Sequence, residues 1–320
     1  MAGKSFNLVA PPLRAALEAW PPQDITAESL ATFRGMEFGE VQSPPGAPAA
    51  VERRIPGPVT GSTVRVLVID PAPGRANRPA LLHLHGGGYV VGTPEISVPA
   101  NQRYAMECGC VVVSVDYRLA PETVFPGALE DNYAALRWLY ANAKSLGVDP
   151  CRIGVGGESA GGGHAAMLAI AARDRGEVPV AFQFLVYPML DDRTGTSRMV
   201  SEFIGEYIWT AVSNRFGWSS LLGVPAGSPA VPEGAVPARV GNLAGLPPTF
   251  IGVGALDLFI EEDLEYARRL ISSGVPVEVH VAAGAYHGFD GLAPDTAPAQ
   301  RFTATLIEAL GRLMEASASR

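Results

Sequence analysis

Cysteine is scarce: three residues, Cys108, Cys110 and Cys151, in a chain of 320. An odd count with no C-x-x-C pair and no His/Cys cluster excludes a disulfide framework and a zinc site. The three read as small core side chains in a reducing compartment. Positive charge is also thin. The 24 Lys and Arg are outnumbered by 32 Asp and Glu, giving a net charge of −8, and no basic cluster occurs. That excludes the electrostatic footprint of a nucleic-acid binder and of a protein that docks on anionic membranes. No uncharged apolar run reaches the ~18 residues of a bilayer span without a Pro breaking it. Met1–Pro11 lacks the ~7–15-residue apolar stretch of a secretory signal. The expectation is a soluble, cytoplasmic protein. With 48% apolar and 18% charged residues, and Gly (36) and Pro (28) below low-complexity levels, the composition is that of an ordinary globular chain.

What is present is a repeated pattern. After partly helical stretches within residues 11–50 (Leu13, Ala16 and Leu17 at helical spacing, then 27–33) and a connector from Ser43 to Pro48, the chain turns strand-like. Val64, Val66 and Val68 alternate with Arg65, Leu67 and Ile69. Short apolar strands follow at 79–84, 110–115, 151–156, 180–187, 248–254 and 276–282, with helical patterns between most of them. Leu129, Tyr133, Leu136 and Tyr140 mark one such helix, with Asp131 near its start. Strand–helix alternation predicts a parallel sheet covered by helices on both faces, with ligands bound beyond the carboxyl ends of the strands. The stretch between Pro188 and Pro248 breaks the rhythm, being about twice a normal crossover. It reads as an aromatic-rich helical insertion that returns by a Pro/Gly-rich coil, and long insertions of this kind are usually functional.

Two motifs carry chemistry. Gly157-Glu-Ser-Ala-Gly161 fits G-x-S-x-G, a string that composition alone would supply roughly 0.2 times. Here it follows the apolar run 153–156 and opens a small-residue helix over 160–172. That is the setting of a nucleophile elbow, where a sharp strand-to-helix turn presents the hydroxyl of Ser159 above the sheet. The helix start behind it places positive partial charge beside a developing oxyanion. His85-Gly86-Gly87-Gly88 lies at a strand end and is expected roughly 0.01 times by chance. Consecutive glycines let backbone N–H groups approach a substrate closely. Gly87, Gly88 and Ala160 are the candidate oxyanion donors. A phosphate-cradling loop would carry a following Lys-Ser/Thr, which is missing.

A serine nucleophile needs a base, and the base needs an orienting acid. Of five histidines, His83 and His280 lie within strands and read as structural. His164 points along the helix behind Ser159, and His85 braces the glycine loop. His287, five residues beyond a strand end, is the candidate base. Asp257, nearest the end of strand 248–254, is the candidate acid, with Glu261 and Glu262 as alternatives at the start of the next helix. The order Ser159…Asp257…His287 is that of α/β-hydrolases. In the insertion, Phe203, Tyr207 and Trp209, with Phe216 and Trp218, either wall a substrate pocket, with Trp20 and Phe33 nearby, or pack the insertion against the core.

Together these strings resemble the hormone-sensitive-lipase-like, bacterial family IV esterases of the α/β-hydrolase superfamily. The match runs through His85-Gly-Gly-Gly88, Asp116-Tyr-Arg-Leu-Ala-Pro-Glu122, Phe125-Pro126, Gly157-Glu-Ser-Ala-Gly-Gly162 and His287-Gly-Phe289. The resemblance implies an α/β fold with a mostly parallel eight-stranded sheet and a serine triad. It also implies no cofactor or metal and hydrolysis of small-molecule carboxylic esters with short to medium acyl chains. A cap is implied over residues 1–48 and 189–225, with the catalytic domain in 49–188 and 226–320, and a homodimer through the last strand and C-terminal helix. Two departures stand out. Glu158 occupies the usual Asp position before the nucleophile, which implies altered hydrogen bonding around the histidine loop, and the acid loop reads Asp257-Leu-Phe259 in place of Asp-Pro-Leu. The same scaffold also carries amidases, deacetylases, dehydratases and a non-catalytic receptor, so these are the alternative readings.

Overall fold

The computed structural model describes residues 3–20, 23–36 and 42–318. Residues 1–2, 21–22 and 37–41 of the expected N-terminal cap lie outside the described residues. The strands are β1 (Ala50–Pro56), β2 (Thr63–Ile69), β3 (Arg78–Leu84), β4 (Val111–Asp116), β5 (Val148–Glu158), β6 (Gln183–Val186), β7 (Thr249–Gly254) and β8 (Val277–Ala282). They form one eight-stranded sheet in the order β1-β2-β4-β3-β5-β6-β7-β8. β2 runs antiparallel to both β1 and β4, and every other pairing is parallel.

The helices are α1 (Pro11–Ala19), α2 (Leu30–Arg34), α3 (Val98–Cys108), α4 (Gly127–Ala141), α5 (Ala160–Arg175), α6 (Ala211–Leu222), α7 (Ile260–Ser272), α8 (Phe289–Leu292) and α9 (Ala297–Ser317). Helices α1, α3, α8 and α9 build the apolar layer on one face, around Leu13, Tyr104, Phe302 and Leu306. Helices α4, α5 and α7 build the other, around Leu136, Leu168 and Leu270. A parallel sheet covered on both sides calls for strands that are apolar throughout, and every residue of β3 and β7 is buried.

The strand read as 180–187 is shorter in the structure. β6 ends at Val186 because Tyr187 turns to φ +35, outside the extended region. β1 carries no clear sequence signal: it is an edge strand in which only Ile55 is buried. The thiols divide, against the expectation of three core residues. Cys110 is buried and Cys108 partly so, but Cys151 is exposed near the start of β5, before that strand enters the core.

Between Pro188 and Pro248 the helical part is shorter than expected: a stretch of turns and bends runs to Thr210, α6 follows, and a coil leads to β7. The N-terminal segment is bonded to the insertion. Ile25 N–H donates to Ser213 Oγ at 2.9 Å, and Glu206 accepts from the backbone N–H groups of Lys4 and Ser5.

Candidate active site

The carboxyl ends of β3, β5, β6 and β7 open toward one region. β5 runs into Ser159, which sits at φ 56, ψ −122, a strained conformation for a residue with a side chain. The surrounding backbone over-determines it: Ser159 N–H donates to Val186 O, and Ser159 O accepts from both Gly163 and Met189. The turn closes tightly because its flanks lack side chains. A methyl at Gly157 or Gly161 would lie 2.1 or 2.0 Å from Leu84 O. The helix behind the serine can therefore press onto β3, which explains the glycines of the motif.

The structure brings Ser159, His287 and Asp257 together from three different strand ends. Ser159 Oγ is 2.9 Å from His287 Nε2, and His287 Nδ1 is 2.8 Å from Asp257 Oδ2. Asp257 is fully buried and its other oxygen accepts from Phe259 N–H at 3.0 Å. In this arrangement Nδ1–H donates to the carboxylate, which leaves Nε2 free to accept the serine proton. The alternative acids lie elsewhere. Glu262 accepts from Leu190 and Asp191 N–H, and Glu261 faces Arg198 at 3.9 Å.

The glycine loop abuts the serine: a methyl on Gly86 would lie 3.5 Å from Ser159 Cβ. Gly87 and Gly88 adopt φ 123 and 58, and Gly87 O accepts from Val90 and Val91, folding the loop back on itself. Ala160, the first residue of α5, is buried beside it. His85 braces the loop as read. Its Nδ1 donates to Gly86 O at 2.8 Å and its ring stacks on Tyr117 at 4.2 Å, while Tyr117 OH donates to His85 O. Burial holds the His85 imidazole down at about 4, so it stays neutral. His164 lies buried on α5, behind Ser159. It is wedged edge-on between Tyr89 and Tyr117, and burial lowers it to about 3.

Of the insertion aromatics, Trp209 is the one carried to the serine region. It is buried, lies against Gly88, and its ring is 6.3 Å from that of His287. Its indole N–H donates to Asn214, itself fixed on Thr194 O. Phe203 remains exposed, in a stretch of bends before α6. Tyr207 packs toward Tyr286. Trp218 is buried against Tyr89, and Phe33 and Phe216 border the same core. Trp20 is half-buried at the end of α1.

Several contacts were invisible in the sequence. Tyr187 and Phe259 meet the His287 ring edge-on at 4.8 and 5.2 Å. Glu158, the residue in the unusual position, reaches His83 Nε2 at 2.8 Å, and His83 Nδ1 contacts Ser114 Oγ at 3.1 Å. Its bonding is thus to β3, beneath the glycine loop. Glu158 and Tyr187 lie at strand ends, and nothing local marks the others. Among the described residues no group of three or more His, Cys, Asp or Glu is arranged to hold a metal ion.

A family profile described as the α/β-hydrolase fold matches residues 81–291. The chain belongs to the α/β-hydrolase fold family. Within this fold it is a hormone-sensitive-lipase-like member, as its motifs suggest. It is 37% identical over 244 residues to Esterase LipI of Mycobacterium tuberculosis, covering 76% of this chain and 75% of the relative. It is 31% identical to Carboxylesterase NlhH of the same organism, over 96% of this chain and 97% of that one. Among solved structures, a bacterial heroin esterase superposes with a TM-score of 0.86 at 37% identity, covering 97% of this chain and 99% of the other. Esterase LipW from Mycobacterium marinum gives 0.82 at 34% identity, covering 97% and 98%. The α/β-hydrolase fold accounts for the sheet order and the clustering of loops beyond the strand ends. Among the described residues no helix is long and apolar enough to cross a membrane.

Proposed function

We propose that the protein is a serine carboxylesterase that hydrolyses small-molecule esters of short to medium acyl chains through an acyl-enzyme. The observation that carries this reading is the continuous chain Ser159–His287–Asp257, with contacts of 2.9 and 2.8 Å, beside a glycine loop at a strained strand-to-helix turn. The esterase relatives point the same way.

In this mechanism Ser159 Oγ attacks the ester carbonyl carbon while His287 Nε2 takes its proton and the carbonyl electron pair moves onto oxygen. Backbone N–H groups of Gly87, Gly88 and Ala160 bind the resulting oxyanion. Asp257 holds the imidazole in the tautomer that accepts at Nε2 and stabilises the imidazolium. Collapse breaks the bond to the alcohol oxygen, which receives the proton from His287. Water then attacks the acyl-enzyme, giving its proton to His287, and the acid leaves as Ser159 is reprotonated.

Residues 1–48 and 189–225 act as the cap over this site. The bonds that join the N-terminal segment to the insertion, and the tether from Arg34 to Val90 O and Ala120 O, support that role. Trp209 forms the cap's wall over the oxyanion loop, so Trp209→Ala shifts the chain-length profile on a p-nitrophenyl ester series. Phe203 and Tyr207 act further out. A homodimer pairing the open edge of β8 with its copy, and a cytoplasmic location that keeps the three free thiols reduced, complete the reading. The test is Ser159→Ala. Hydrolysis of p-nitrophenyl esters falls on the order of 10⁴-fold or more. A variant that keeps most of its turnover overturns the assignment, and turnover of aryl acetamides in preference to esters redirects it to an amidase.

A further inference from the structure

Tyr187 spans the loop that carries His287. It closes β6 at φ +35, and its ring meets the imidazole edge-on with centroids 4.8 Å apart and planes at 65°. Its hydroxyl donates to Asp290 Oδ1 at 3.0 Å. Asp290 lies three residues after His287, in α8, so one side chain holds both the imidazole and a carboxyl of the same loop. Phe259 meets the same ring edge-on at 5.2 Å but has no polar end to fix it.

We propose that Tyr187 and Asp290 are a positioning pair for His287: the Asp290 carboxyl anchors the Tyr187 hydroxyl, and the anchored ring sets the plane of the imidazole. This inference rests on the catalytic reading of Ser159 and His287. Asp290 itself is an unusual place for a carboxyl. Burial pushes it up to about 6, neighbouring Glu158 pushes the same way, and the Tyr187 hydroxyl and the backbone N–H groups of Asp290 and Gly291 pull it down. Tyr104 on α3 also lies within its field. Among the described residues Asp290 makes no ion pair with a Lys or Arg, and Glu158 is already engaged by His83. A carboxyl kept there without a cation opposes stability, the signature of a group retained for what it does to a site. Above pH 6 it is ionised, and the bond from Tyr187 is charge-assisted.

The test is steady-state hydrolysis of p-nitrophenyl acetate at pH 8, with thermal melts of each variant. Tyr187→Phe keeps the ring and loses the anchor, and Asp290→Ala loses the acceptor. Each lowers kcat roughly three- to tenfold with KM within about twofold, because a misplaced base slows chemistry more than binding. The double variant is no worse than either single, since both remove one interaction. Asp290→Asn, which can still accept the bond, recovers most of the rate. Additive losses, or a change in KM alone, or loss of melting temperature without loss of kcat, overturn the pairing. Should Asp290→Ala not fold, Tyr187→Phe and Asp290→Asn carry the same comparison. Ser159→Ala is measured alongside: turnover that survives it refutes the catalytic reading, whereas an inactive Ser159→Ala with additive Tyr187 and Asp290 variants refutes the pair alone.

Discussion

Gly88→Ala asks the most of the oxyanion loop. The added methyl would lie 1.9 Å from Cη2 of Trp209, about 1.5 Å short of ordinary carbon–carbon contact, in a residue already at φ +58. Trp209 has little freedom to retreat, being 5% exposed and bonded to Asn214, which is itself buried and held by Thr194. The loop must therefore yield. A left-handed alanine costs ~1–2 kcal/mol and overpacking a further ~1–3 kcal/mol, so the expected destabilisation is about 2–5 kcal/mol. The loop movement also displaces the Gly88 N–H proposed as an oxyanion donor, an effect worth on the order of 10²–10³ in kcat. The assay is p-nitrophenyl acetate hydrolysis paired with urea unfolding. Trp209→Ala carries its own cavity cost but removes the clash, so the double variant loses less than the sum of the two single variants. Wild-type kcat/KM in Gly88→Ala, or a double variant worse than the sum of the singles, would refute the reasoning.

Three other outcomes follow from the same geometry. Asp257→Asn keeps the side chain's shape but favours the wrong imidazole tautomer, so kcat falls on the order of 10⁴-fold with little change in the far-UV spectrum; a loss under tenfold contradicts Asp257 as the orienting acid. Asp290 has a folded pKa raised to about 6, against an ordinary value near ~3.9, so the folded state binds its proton more tightly and the contribution to stability falls as pH rises through that window. Asp290→Asn is accordingly more stable than the wild type at pH 8, by about 1–2 kcal/mol after allowing for partial exposure, and equal to it at pH 4; thermal melts at the two pH values check the sign. Hydrolysis by the wild type declines toward acid pH, and a flat profile down to pH 4 contradicts a histidine base.

The fold was legible where burial is complete. β3, β7 and the inner half of β5 announce themselves because strands covered on both faces must be apolar, and the glycines around Ser159 because no side chain fits against Leu84 O. β1 was not legible, since an edge strand exposing Glu52, Arg53 and Arg54 has no apolar pattern to read. The end of β6 was misread because φ at Tyr187 is set by what the side chain meets across the sheet, not by its neighbours in sequence. Ser159, Asp257 and His287 could be singled out since each lies at a strand end with the residue type the chemistry needs. Phe203 and Trp209 could not be told apart. Both are aromatics of one loop, and only packing against Gly88 separates the buried indole from the exposed ring. The Glu158–His83 and Tyr187–Asp290 bonds join residues 75 and 103 positions apart, beyond the reach of any local pattern.

Covalent trapping tests the centre of the account most directly. The protein is treated with one equivalent of a p-nitrophenyl alkylphosphonate, digested and mapped by mass spectrometry. A single adduct on Ser159, formed in step with the loss of ester hydrolysis, is the expected result. Stoichiometric labelling at any other residue, or full activity after Ser159 is modified, would contradict it.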